Sequence, residues 1–203
     1  MSEEPFVYQY IRVEGYRSPH LAQYIELADA ISWQVLHEPS GLIATELATG
    51  IERLLAHERY SAGQNNVVML RCYGEGLFSI SCRGTSLYKG LDLRAYRPNA
   101  ITVDVGGVYA GLPTSVAYAE AKLLAEYVRM QGAGAFVAVD ASGRIVSVDG
   151  ATAFVVRHGR ITVSRLSPTV EAEIVLQALE RAGREVEMRD IMRDELSTAD
   201  EVW

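Results

Sequence analysis

Apolar and polar positions alternate at a period of two through residues 6–13, FVYQYIRV, which predicts a β-strand with one buried face. Glu14-Gly15-Tyr16 then reads as a turn, and His20-Leu21 opens a helix carried by Tyr24, Leu27, Ala30 and Ile31. After Pro39-Ser40-Gly41 the apolar residues Ile43, Leu47, Ile51, Leu54 and Leu55 recur at helical spacing and predict a second helix with one apolar face. Residues 65–72 and 77–82 read as a hairpin closed by Gly74-Glu75-Gly76, followed by a turn at 84–87. Further strands are expected at 89–96 and 100–105. Gly106-Gly107 to Gly111-Leu112-Pro113 has the composition of a linker.

The pattern is densest from 133 to 165, AGAFVAVDASGRIVSVDGATAFVVRHGRITVSR. Residues 135–139 are apolar enough for a buried strand. Asp140-Ala141-Ser142-Gly143 and Arg157-His158-Gly159-Arg160 are turn chemistry, with short antiparallel strands expected at 144–146 and 151–156. Helices are expected on either side, at 114–131 and 169–182.

This arrangement resembles the class IV aminotransferase family, the fold-type-IV enzymes that use pyridoxal phosphate (PLP). That family includes branched-chain and D-amino-acid aminotransferases and aminodeoxychorismate lyase. The resemblance runs through Ile174-Val175-Leu176-Gln177-Ala178-Leu179 and Gly183-Arg184-Glu185-Val186-Glu187-Met188-Arg189 to Leu196 and Ala199-Asp200-Glu201-Val202. It extends to the start of the chain. There Tyr8-Gln9-Tyr10-Ile11-Arg12 stands where the family has "FE-x-IR", and His20-Leu21-Ala22-Gln23-Tyr24 where it has "HL-x-RL". The fold it implies is α+β and two-lobed, D-amino-acid aminotransferase-like. A small α/β N-terminal lobe is expected over 1–105, a linker over 106–113 and a pseudo-barrel C-terminal lobe over 114–203.

PLP chemistry on this fold needs a lysine for the internal aldimine, a carboxylate for the pyridine nitrogen, and phosphate donors at a helix start and an arginine. Arg12 matches the family's phosphate arginine. Gln9 and Gln23 replace its usual glutamate and arginine nearby. The lysine position falls on Pro113, which has no amine, and the glutamate position on Ser147, with Thr152 in place of an asparagine. Lys122 lies nine residues beyond Pro113, about 13 Å along a helix, and Lys89 matches nothing in the family. These are the only lysines, against seventeen arginines. Asp149, two residues from Ser147 on the same face of an extended strand, is the one local substitute carboxylate. Leu166-Ser167-Pro168-Thr169-Val170-Glu171 replaces the phosphate turn. Glu171 and Glu173 there compete with an incoming phosphate for the positive helix end. The family's second phosphate loop, which follows "ADEV", is expected to be missing after Trp203.

The resemblance therefore implies a pseudoenzyme: a family member without catalysis or PLP, acting as a binding, structural or regulatory module. The alternative is an active PLP-dependent aminotransferase or lyase of amino-acid metabolism with relocated catalytic groups. A third reading keeps Arg12 as the holder of a small anionic ligand. A homodimer, or pairing with a related intact subunit, is expected because the family builds its site near a dimer contact.

Composition adds exclusions. A net charge of −7 argues against nucleic acid as a partner. No long apolar run suggests a membrane span, and the acidic start is unlike a signal peptide. Cys72 and Cys82 read as free thiols of a cytoplasmic protein. His20, His37, His57 and His158 are scattered, so no metal site is expected, and no Gly-x-Ser-x-Gly is present. Phe6, Tyr8, Tyr10, Tyr16 and Tyr24 are expected to pack in the core or at an interface, or to line a pocket.

Overall fold

The structure, a computed structural model, describes residues 4–58, 65–85 and 98–203. The strand expected at 89–96, and Lys89 with it, lies outside the described residues. The chain forms two compact units: Met1–Tyr96 with Pro113–Ser115, and Arg97–Leu112 with Val116–Trp203.

In the first unit, β1 (Val7–Glu14) alternates as its sequence predicts. Val7, Gln9, Ile11 and Val13 are buried, and Tyr8, Tyr10, Arg12 and Glu14 occupy the other face. It pairs antiparallel with β2 (Asn65–Gly74), which pairs antiparallel with β3 (Leu77–Thr85). Glu75 and Gly76 between β2 and β3 both have positive φ, 49° and 79°, the backbone that suits a tight hairpin between twisted strands. Gly84 and Thr85 stay in β3 rather than turning, because a bulge at Val67/Val68 absorbs the register shift.

α1 (Leu21–Val35) buries Tyr24, Ala28, Ile31 and Ser32, and α2 (Ala44–His57) buries Leu47, Ile51 and Leu55. Each set repeats at three or four residues, so each helix has one buried stripe. Trp33 on α1 is exposed. Gly41, at φ 65°, lies so close to the hairpin that a Cβ there would come within 2.4 Å of the Gly76 nitrogen. Only glycine fits both that backbone and that contact.

The second unit holds two sheets. In one, β4 (Ala100–Asp104) pairs parallel with β5 (Ala135–Val139), and β5 antiparallel with β6 (Ile145–Val148). In the other the order is β10 (Glu201–Val202), β7 (Phe154–Arg157), β8 (Arg160–Ser164), β9 (Val186–Arg189). Here β8 and β9 are parallel, and the remaining pairs antiparallel. Each parallel pair is joined through a helix, α3 (Ser115–Met130) between β4 and β5 and α4 (Val170–Arg181) between β8 and β9. A parallel pair requires such a crossover, whereas the strands expected at 144–146 and 151–156 pair antiparallel, β6 with β5 and β7 with β8. β4, expected within a lobe ending at 105, belongs to the second unit because its ladder partner is β5.

β5 is buried on both faces. Val137 and Val139 pack with Ile145, Ala153, Val155 and Ile191, while Phe136 and Ala138 pack with Val103, Val128 and Val146. Phe154 carries the ring of Trp203 stacked on it, 4.6 Å between centroids and 2° from parallel. α3 contributes Val128, and half-buried Leu124, to this core. No described helix is long and apolar enough to cross a membrane.

Candidate functional site

β1 positions the first group. Its mixed face carries Phe6 against Tyr73 (5.9 Å, edge-on), Tyr8 against Tyr10 (5.4 Å, edge-on), and then Arg12. Arg71, cross-strand from Tyr8, lies over the Phe6 ring at 5.3 Å. The Arg12 guanidinium pairs through Nη2 with Glu14 at 3.3 Å, and its backbone N–H donates to the hydroxyl of buried Tyr24 at 3.2 Å. Its Nε is buried and makes no hydrogen bond. On the opposite, core-facing side of β1, Gln9 is buried and its Nε2 has no acceptor. The expected aromatic set thus splits. Phe6 and Tyr24 are core residues, and Tyr8 and Tyr10 line one sheet face.

The segment after the linker closes on the start of the same strand. The Pro113 carbonyl accepts the Tyr8 N–H at 2.8 Å, Ser115 N–H donates to the Phe6 carbonyl at 2.8 Å, and Thr114 bridges Val7. Pro113 therefore stands within β1's own unit, four residues or about 13 Å along the strand from Arg12. Lys122 lies on the exposed side of α3, its ammonium 4.4 Å from the centroid of the Tyr118 ring.

In the second unit, Ser147 is buried in β6, in register with Ala138 of β5. Asp149 differs from its expected extended geometry. It adopts φ 49° ahead of Gly150, is exposed, and its carboxylate accepts the Phe136 N–H at 2.8 Å. The Asp-Gly pair turns the chain there, so the side chain closes the end of β5 rather than following Ser147 along a strand.

Thr152 is buried and donates through Oγ1 to the Ser167 carbonyl at 2.5 Å. It lies 3.1 Å from the Thr169 hydroxyl. A hydroxyl has one proton, so with Thr152's committed to Ser167 the Thr169 hydroxyl is the donor in that contact. Thr169 is also the N-cap of α4, accepting the Ala172 N–H at 3.2 Å. Next to this chain of bonds, Ser164 donates to the Ile145 carbonyl at 3.2 Å and accepts the Leu166 N–H at 3.1 Å. The turn is tight. Ser167 adopts φ 54°, and Gly111, at φ 85°, approaches it so that a Cβ would sit 3.0 Å from the Ser167 Oγ and 3.0 Å from Val146 Cγ1. Glu171 and Glu173 occupy the first turn of α4. The network was not legible in advance because its partners are 15 and 17 residues apart. The usable signal was a capping threonine directly before the helix.

No cluster of metal-binding side chains occurs among the described residues. Cys72 and Cys82 are free thiols. Burial, with a smaller push from Asp29, raises the Cys72 thiol to about 12, so it stays protonated and inert. His158, at φ 50° in the β7–β8 turn, donates its backbone N–H to Asp200 at 2.6 Å.

Residues 85–203 match the profile of the family described as amino-transferase class IV. No curated protein matches the chain. Solved structures share its architecture. The fold IV-transaminase CpuTA1 from Curtobacterium pusillum is 17% identical, with a TM-score of 0.76 over 100% of this chain and 74% of that one. A hypothetical aminotransferase from Mycobacterium tuberculosis, in its alpha-ketoglutarate and PMP bound form, is 13% identical, with a TM-score of 0.79 over 100% and 77%. The branched-chain amino acid aminotransferase of Escherichia coli is 15% identical, with a TM-score of 0.76 over 99% and 73%. At these identities the likeness establishes the fold alone.

Proposed function

This chain belongs to the amino-transferase class IV family, and from that premise we propose that it is a member without PLP chemistry, serving as a binding, structural or regulatory module. The observation that carries the reading is the start of α4. Thr152 and Thr169 satisfy each other, the Ser167 carbonyl and the Ala172 N–H from within the chain. Glu171 and Glu173 put negative charge where a phosphate would need positive. Two further positions support it. Pro113 offers no amine, and its carbonyl is engaged by Tyr8. A serine hydroxyl, Ser147, cannot hold a pyridinium as an ion pair. The residues present therefore do not fit the cofactor. The reading includes a cytoplasmic location and a homodimer, or a pairing with a related intact subunit.

Incubation with PLP followed by visible spectroscopy and borohydride reduction tests it. The expected result is no reducible chromophore and no amine-dependent turnover. A reduced adduct mapped by mass spectrometry to Lys122 or Lys89, with turnover of an amino acid, supports the active alternative instead.

One observation favours a second reading in which Arg12 still holds a small anion: its Nε is buried without a partner while Nη2 pairs with Glu14. Calorimetric binding of inorganic phosphate or a small carboxylate, abolished by Arg12→Ala, is the expected result of that reading. Equal heats from both proteins dismiss it.

A further inference from the structure

The chain has one Asp-Gly pair, Asp149-Gly150, and it forms the tip of the turn that follows β6. Asp149 at φ 49° and Gly150 at φ 81° are both left-handed, the backbone of a two-residue hairpin loop. Val148 and Ala151 close the loop with reciprocal backbone hydrogen bonds of 3.0 and 2.9 Å. Asp149 and Gly150 are both exposed, and a Cβ at Gly150 would meet nothing within 4 Å.

Such a pair carries its own chemistry. When the protonated Asp149 carboxyl swings over its own backbone, no side chain on Gly150 blocks the approach of the Gly150 nitrogen to Cγ. An N–Cγ bond forms, and the amide proton and the carboxyl OH leave as water, closing a succinimide ring. Water then adds back. Breaking the new N–Cγ bond restores aspartate. Breaking instead the bond between that nitrogen and the Asp149 main-chain carbonyl leaves isoaspartate, in which the chain runs through Cβ and Cγ and the α-carboxylate becomes the side chain. The water lost is the water regained, so no co-reactant is consumed.

The fold holds the carboxyl off this path. Asp149 Oδ1 accepts the Phe136 N–H at 2.8 Å, and the Asp149 N–H donates to the Phe136 carbonyl at 3.0 Å, so the residue is pinned to β5 through side chain and backbone together. The carboxyl must release Phe136 before it can meet Gly150. Two hydrogen bonds of ordinary net strength make the released turn roughly tenfold to a hundredfold rarer than the held one.

We propose that Asp149-Gly150 is a conditional modification site, converted to isoaspartate when the β5–β6 corner opens and protected while Asp149 holds Phe136. Conversion adds a carbon to the two-residue loop and moves the carboxylate, so the paired contact to Phe136 is not remade. β5 and β6 carry Phe136, Val137, Val139, Ile145 and Val146 into the core of the second unit. Isoaspartate at this corner is therefore a covalent record that the core has been open.

The full chain, incubated at neutral pH both folded and in urea, tests this. Isoaspartate at Asp149 is read by peptide mass spectrometry and by methyl transfer from an isoaspartyl-specific carboxyl methyltransferase. The urea sample is expected to convert at least about tenfold faster. Asp149→Asn keeps an accepting Oδ1 and closes the same ring by losing ammonia, so its deamidation is expected to show the same folded-to-unfolded ratio on a shorter timescale. Equal rates in the folded and unfolded chain, for either sequence, overturn the protection. An unfolded chain that forms no isoaspartate there overturns the site itself.

Discussion

The start of α4 and the middle of β1 both bury polar side chains, and they treat them differently. At α4 every hydroxyl proton of Thr152 and Thr169 has a named acceptor, and Thr169 in turn caps the helix. On β1 the Gln9 amide nitrogen and the Arg12 Nε are buried with nothing to receive them. A buried donor without an acceptor costs about 1–3 kcal/mol relative to one that is paired. One region has been closed by its own side chains. The other leaves two donors without acceptors on opposite faces of β1, Gln9 toward the core and Arg12 on the mixed face.

Opposite signs of mutational effect separate the two. The largest change expected is Thr152→Val, which preserves shape but strands the Ser167 carbonyl and the Thr169 hydroxyl; urea unfolding should show a loss of about 2 kcal/mol. Thr169→Ala removes the cap and should cost about 1 kcal/mol in the same assay. Gln9→Met removes an unpaired amide from the core and should raise stability by a few tenths to about 1 kcal/mol. A loss there of the size seen for Thr152→Val would mean that Gln9 is partnered, and the contrast would fail.

The smallest effect concerns an ion pair outside both regions. Glu195 accepts two hydrogen bonds from Arg189, at 2.8 and 2.7 Å, which hold its carboxyl below the ordinary 4.5. The unfolded chain then takes up this proton at a higher pH than the folded one, so the contribution is present above about 4.5 and fades as pH falls through the lowered value. Glu195→Gln should lower the neutral plateau of a thermal-stability profile slightly and make its acid limb less steep, the two profiles converging at low pH.

The elements of both units were largely legible because they follow period. Val7, Gln9, Ile11 and Val13 alternate inward, and Leu47, Ile51 and Leu55 step along one side of α2. Pairing was less legible. Nothing local to Val186–Arg189 says that it lies parallel to β8, because that choice is made by α4 folding back between them. At the candidate site the residues themselves, Arg12, Pro113, Ser147 and Thr152, were readable against the family pattern. Their contacts were not. Asp149 shows the limit: its Asp-Gly sequence signals a turn, yet the strand period running up to Val148 suggested continuation. The local turn won, with a hydrogen bond to Phe136 to hold it.

The chain has two tryptophans, and each unit owns one. Trp33 stands in solvent on α1, while Trp203 lies flat on Phe154. Their fluorescence is therefore a pair of built-in gauges, one reading each half. A Trp33→Phe protein would report only the stacked indole and a Trp203→Phe protein only the solvated one. Two superimposable melting curves would say the halves come apart together, and a gap between them would give the separate robustness of each.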